Sequence, residues 1–462
     1  MRISQRRGAA AVAASLTLGA VLAACSSGGS GETDAGTTDG GATAGGGEAS
    51  CTNTIPKPDA TEVSVWAWYP AFEPVVDLFN ETHDDVQICW TNAGQGADEY
   101  NKFSTAIEAG SGAPDVIMLE SEILPTYTIL DSLADLSEFG AGELESEFTT
   151  GSWSDVSSGE AVHAVPVDGG PMGMLYRADI FEEYGVEPPT SWDEFAQAAQ
   201  DLRDAGYEGY ITNYPTNGNA LNYALFAQNG WEPFEYDPAN PTEIGIDVAT
   251  PEAEEVLSYW NELIEADLVA TDDAFTSDYN TSLVDGTYAV YLAAAWGPGY
   301  LQGLSDADSE AEWKAAPLPQ WDPANPVQVN WGGSTFAVTQ QAEDKEAAYT
   351  VASELFRSME SWEIGIDEAA LFPQWNEALE SDFFVEKEYP FFGGQQINQD
   401  VFLEAANGYE GFSFSPFQVY AYDQQTQALY DMVESGGDAA STLQTIQDAL
   451  VSYAQQQGFT VN

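Results

Sequence analysis

Positive charge is what this chain has least of. Its 462 residues hold 11 lysines and arginines against 76 aspartates and glutamates, a net charge of −65. A field of that sign repels nucleic acid and anionic membrane surfaces and disfavours an anionic cargo. Such a composition describes a solvated acidic surface. Histidine is nearly missing as well. His83 and His163 stand far apart, which excludes a histidine-built zinc site and leaves no Ser-His-Asp arrangement. No glycine-rich loop has the spacing that cradles phosphate. Long apolar runs are absent beyond the first 24 residues, so no later segment can span a bilayer. Acid pairs are so common that they carry no information about a two-carboxylate hydrolase. The run Asp306 to Glu312 lacks the glycine and the spacing of a calcium loop.

The N-terminus sets the compartment. Arg2, Arg6 and Arg7 precede an apolar stretch from Gly8 to Ala20 that is too short to span a membrane, the layout of a signal peptide. Leu22-Ala23-Ala24-Cys25 follows and resembles the lipobox of bacterial lipoproteins. That resemblance implies a signal peptide over 1–24 and a lipid on Cys25. It places the protein outside the cytoplasm, anchored to the outer face of the cell membrane. Residues 25–57 are mostly Gly, Ser, Thr, Ala and acids, and read as a flexible tether. Only two further cysteines exist, Cys51 and Cys89. In an exported chain a bridge between them would tie the tether's end to the second strand; two free thiols is the alternative.

Beyond the tether the pattern turns regular. Glu62 to Trp68 alternates as a strand, and Phe72 to Phe79 has helical spacing. Val86 to Trp90, Tyr100 to Ala109 and Asp115 to Leu119 continue as strand, helix and strand. The alternation predicts a parallel doubly wound sheet, whose crevice lies beyond the carboxyl ends of its strands. Trp68-Tyr69, Asn92 to Gly96 and Glu120-Ser121-Glu122 sit there. Ala161 to Val167 and Met172 to Tyr176 read as separate extended pieces. Helices are expected over Asp179–Tyr184, from Trp192, and over Lys345–Met359, Gln424–Glu434 and Ala439–Gln456. Asp237-Pro-Ala-Asn-Pro241 and Asp322-Pro-Ala-Asn-Pro326 are two similar turns with unlike flanks. This length exceeds what one hydrophobic core normally serves, so two lobes are expected.

A series of short segments then becomes informative by its order. It runs Ala109-Gly110-Ser111-Gly112-Ala113-Pro114-Asp115-Val116, Ala164-Val165-Pro166, Leu175-Tyr176-Arg177-Ala178-Asp179-Ile180-Phe181 and Pro189-Thr190-Ser191-Trp192-Asp193-Glu194-Phe195. It continues with Asp285-Gly286-Thr287-Tyr288-Ala289-Val290, Pro317-Leu318-Pro319 and Gly332-Gly333-Ser334-Thr335. Over nearly all of residues 60–460 the chain resembles the extracellular solute-binding family that contains the maltose-binding protein. The resemblance implies an α/β, two-lobe periplasmic-binding-protein-like fold with three interlobe crossovers, near 167–170, 330–334 and 360–373. Lobe 1 would take 58–167 plus 334–365, and lobe 2 would take 168–333 plus 366–462. The function implied is that of a monomeric receptor, with no enzymatic activity and no cofactor, that hands a carbohydrate to the permease of an ABC importer. A polyamine, amino acid or peptide is the alternative cargo, and a secreted glycosidase the alternative class.

A sugar needs aromatic faces for its C–H groups and polar partners for its hydroxyls. Position selects Trp68, Tyr69 and Trp331 as aromatic candidates, Trp296 resembles the family's stacking tryptophan, and Trp375 follows Phe372-Pro373-Gln374, which looks like the family's late cleft-lining loop. Gln95, Glu120, Glu122, Asp168, Asn219 and Asn222 are the polar candidates. Gly332 and Gly333 lie on the second crossover, and Gly169-Gly170 on the first, where glycine would ease a hinge. Trp192, Trp260 and Trp362 sit on helices and read as packing. The family's basic residue near the first strand is missing here, where Pro70 and Ala71 stand.

Overall fold

The computed structural model describes residues 51–236, 240–306 and 309–462. The signal peptide, Cys25, most of the tether, Asp237 and part of Asp306–Glu312 lie outside them. The first elements alternate as β1 (Thr61–Trp66), α1 (Phe72–Thr82), β2 (Val86–Thr91), α2 (Ala97–Ala109) and β3 (Val116–Glu120). Val63 and Val65 turn to the buried side of β1, and Phe72, Val75, Val76 and Phe79 form the buried stripe of α1. β1 pairs in parallel with both β2 and β3.

The strands that follow are β4 (Val165–Arg177), β5 (Val290–Ala294), β6 (Trp313–Pro317) and β7 (Asn330–Val338). All of their pairings are antiparallel, so the wholly parallel sheet expected from the alternation is only its first part. β7 pairs with β3 and with the first half of β4, while β5 and β6 flank the second half of β4. One continuous strand thus serves two sheet regions. The sequence suggests two pieces because Asp168 to Pro171 carries no apolar alternation; pairing with β7 keeps that stretch extended.

Three passages of chain meet at this point. Gly333 pairs with Gly169 and Ser334 with Asp168. From the third passage, Gly169 N–H donates to the Phe372 carbonyl at 2.9 Å and Gln374 N–H to the Val167 carbonyl at 3.0 Å. A Cβ on Gly170 would collide with the Trp331 carbonyl, so close approach of two backbones demands glycine there. Gly332 is needed for another reason, its φ of 74°.

Among helices, α3 spans Asn219–Ala227. The expected helix from Lys345 to Met359 is two: α4 (Lys345–Glu354) and α5 (Met359–Glu368), the second capped by Ser358, whose hydroxyl accepts the Ser361 N–H at 3.1 Å. α6 (Gln418–Ser435) starts earlier than expected, and α7 spans Ala439–Gln457. Tyr69, Phe72, Phe336 and Phe356 pack as one aromatic group beside the first sheet region. Trp192, Phe195, Tyr214 and Trp260 form another. Trp192, Trp260 and Trp362 are all buried, as their helical positions suggest.

Cys51 and Cys89 are joined by a disulfide. Next to it Thr52 N–H donates to the Trp90 carbonyl at 2.7 Å, and Asn53 exchanges hydrogen bonds with Ile88 and Trp90 at 2.8 Å. This segment satisfies backbone groups along β2, an edge strand of its sheet.

Candidate functional site

Beyond the carboxyl end of β3 lies a cleft of about 820 Å³. Its walls come from distant parts of the chain. β3 ends at Glu120, and a tight turn then presents Ser121 and Glu122. On α3, Ala220, Tyr223, Ala224 and Ala227 face the opening at i, i+3, i+4 and i+7, one stripe of a helix. The aromatic loop Gly408 to Phe414 supplies Tyr409, Phe412 and Phe414, and the segment before β7 supplies Val327 to Asn330. Asp155 and His163 complete the wall. A side space of about 10 Å³, room for about one water, extends to the crossovers, where Asp168, Gly333, Ser334 and Gln374 line it beside Asp155 and Asn330.

The cleft is acid-rich and has no compensating cation. Glu122, Asp155, Glu232 and Glu410 line the main space and Asp168 the extension, without one lysine or arginine among the described lining residues. Burial raises the Asp155 carboxyl to about 7, although it accepts the Phe412 N–H at 3.0 Å and the Tyr409 hydroxyl at 3.0 Å. Burial likewise raises Asp168 to about 7, against the Phe372 N–H donated to it at 2.6 Å. Glu122 is pushed well above the usual carboxylate range by burial and then by the neighbouring Glu120. Burial also lifts Glu120, which accepts the Tyr100 hydroxyl at 2.7 Å. In each case desolvation outweighs the hydrogen bonds that favour the ionised form.

The structure sorts the residues selected from the sequence. Glu122 and Gly332 line the cleft, and Asp168 and Gly333 its extension. Glu120 stands just behind Glu122, bonded to Tyr100, and half-buried Trp68 packs edge-on to the same Tyr100 ring at 5.7 Å. Gln95 is exposed in the turn before α2. Trp296 and Trp331 pack on each other at 4.8 Å, with the Trp296 indole N–H donating to the Trp331 carbonyl at 3.3 Å.

Trp68, Gln95, Glu120, Trp296 and Trp331 do not line the cleft, and four further candidates are engaged away from it. Tyr69 is buried, its hydroxyl 2.6 Å from the Ser334 hydroxyl. Asn219 accepts from the Thr426 hydroxyl at 2.7 Å, and the fully buried Asn222 donates to the Pro215 carbonyl at 3.1 Å. Both lie off the helical stripe that faces the cleft. Trp375 is buried, and its indole N–H donates to Glu147 at 3.2 Å.

Other residues went unselected. Asp155 had no signal of its own among 76 acids. The loop with Tyr409, Phe412 and Phe414 could have been found, since Gly408 and Gly411 bracket aromatics in a stretch without helical period. Phe275 is half exposed and packs near Trp296, Tyr300 and Trp331 despite a φ of 63°, strained for an aromatic residue.

Comparison with known proteins adds to this geometry. The family model for bacterial extracellular solute-binding proteins matches residues 67–358. The arabinooligosaccharide-binding protein of Halalkalibacterium halodurans is 23% identical over 302 residues, 63% of this chain and 66% of that protein. An uncharacterized lipoprotein of Streptomyces antibioticus is 33% identical over 152 residues, 31% of this chain and 33% of that one. The structure of an ABC-transporter-associated binding protein from B. animalis subsp. lactis, in complex with beta-1,6-galactobiose, superposes with a TM-score of 0.74. It is 29% identical, with 87% of this chain and all of that one covered.

Proposed function

Because the chain belongs to the family of bacterial extracellular solute-binding proteins, not a family of enzymes, we propose that it is the lipid-anchored receptor of an ABC importer. Its cargo is an oligosaccharide, held in the cleft between two lobes and passed to the permease. The observation that carries this reading is the cleft itself. At about 820 Å³ it is at the large end of small-molecule sites. It is lined by the aromatic residues Tyr223, Trp231, Tyr409 and Phe412 together with Glu122, Asp155 and Asn330, the mixture a sugar needs.

The lobes divide as 58–167 plus 334–365 and 168–333 plus 366–462. A ligand touching both favours the closed arrangement and shifts the population towards it. Cys25 carries the lipid, a reading supported by the lipobox and by the lipoprotein relative. No described helix is long and apolar enough to cross a membrane.

A thermal-shift screen against mono- and oligosaccharides, amino acids and polyamines tests the cargo. A ligand that binds only the folded state raises Tm with concentration. The expected result is a shift with one sugar class, the sugar being recovered intact. A shift with amino acids or polyamines alone discards the carbohydrate cargo, and a consumed sugar discards the receptor.

A further inference from the structure

The cleft is unbalanced in its hydrogen-bonding chemistry as well as in its charge. Its floor is rich in acceptors: the carboxyls of Glu122, Asp155 and Asp168, and the Asn330 side-chain oxygen, which is buried without any donor. Two buried nitrogens of the described lining residues are left without a partner, the Gln374 amide nitrogen, on a residue 3% exposed, and His163 Nε2. Glu122 is itself 7% exposed, so its ionised form needs a cationic partner in the cleft in place of bulk water. His163 supplies no positive charge to the wall, since burial lowers its basicity. A neutral sugar hydroxyl brings an acceptor with every donor. An ammonium brings three donors, no acceptor and the missing positive charge.

We propose that the cargo is a carbohydrate bearing a free, protonated amino group, which seats its ammonium among Glu122, Asp155 and the Asn330 oxygen. This rests on the carbohydrate reading above and narrows it to amino sugars. The seated ammonium draws these desolvated carboxyls into their ionised form, an attraction that a buried pair with satisfied hydrogen bonds retains and a neutral sugar cannot supply.

Calorimetric titration of the purified chain with matched sugars is the test. The pairs are glucose and glucosamine, galactose and galactosamine, and cellobiose and the deacetylated chitosan dimer, with the N-acetylated dimer as a neutral control. In at least one pair the amine is expected to bind tenfold tighter or more than its neutral partner. Raising NaCl from 0.1 to 1 M should weaken the amine selectively, as the Debye length falls from about 10 to about 3 Å. Glu122→Gln should narrow the amine preference, with circular dichroism confirming the fold; the salt series does not depend on that variant. If neutral sugars bind as well as their amines or better, this inference falls while the carbohydrate receptor stands. If no sugar of either kind binds, both fall.

Discussion

At the residue scale the cleft's acids behave as a set because nothing positive stands among them. Asp155 shows the consequence for stability. Its carboxyl titrates at about 7 when folded against an ordinary 3.8, with burial as the cause. A raised folded value means that the native state holds the proton more tightly than the unfolded chain. The contribution is therefore full below about pH 4 and lost as pH rises towards 7. In Asp155→Asn the amide oxygen can still accept from Phe412 and Tyr409, but the titration is gone. Ligand-free melts from pH 4 to pH 8 should fall less steeply for this variant, the difference reaching on the order of a few kcal/mol. Parallel slopes for the two proteins would show that Asp155 titrates at an ordinary value.

At the element scale the N-terminal edge is closed by covalent and backbone links together. The Cys51–Cys89 bridge closes a loop of 38 residues that contains β1 and α1. Cross-linking a loop of that length restricts the unfolded chain and contributes about 2–4 kcal/mol. Cys51→Ala with Cys89→Ala should lower Tm by several degrees, and adding reductant to the native chain should reproduce the drop. An unchanged Tm in both would mean that the backbone bonds from Thr52 and Asn53 hold the edge alone.

At the scale of the whole molecule the governing quantity is the net charge of −65. Self-repulsion at that density opposes any compact state and is screened by salt. Raising NaCl from 0.1 to 1 M should raise Tm by several degrees in the absence of ligand. A flat response would mean that the acids are spaced widely enough on the surface to ignore one another. Closure of two acidic lobes should be favoured by salt for the same reason. Small-angle scattering would report it as a smaller radius of gyration.

The sequence alone determined the elements that repeat a local rule. Val63 and Val65 alternate, and Phe72, Val75, Val76 and Phe79 recur at helical spacing. Such patterns survive because each depends on neighbours a few residues away. The order of short segments along the chain likewise pointed to the family before any contact was known. Tertiary structure decided what depended on distance. The stretch Asp168 to Pro171 is strand only because β7 lies beside it. Asn219 and Asn222 turned from the cleft because one helical stripe faces it and they are not on that stripe. Asp155 became a cleft acid because folding carried it, with Tyr409 and Phe412 from more than 250 positions away, into a place water leaves. A carboxylate's sequence context cannot state its desolvation, which is a property of everything packed around it.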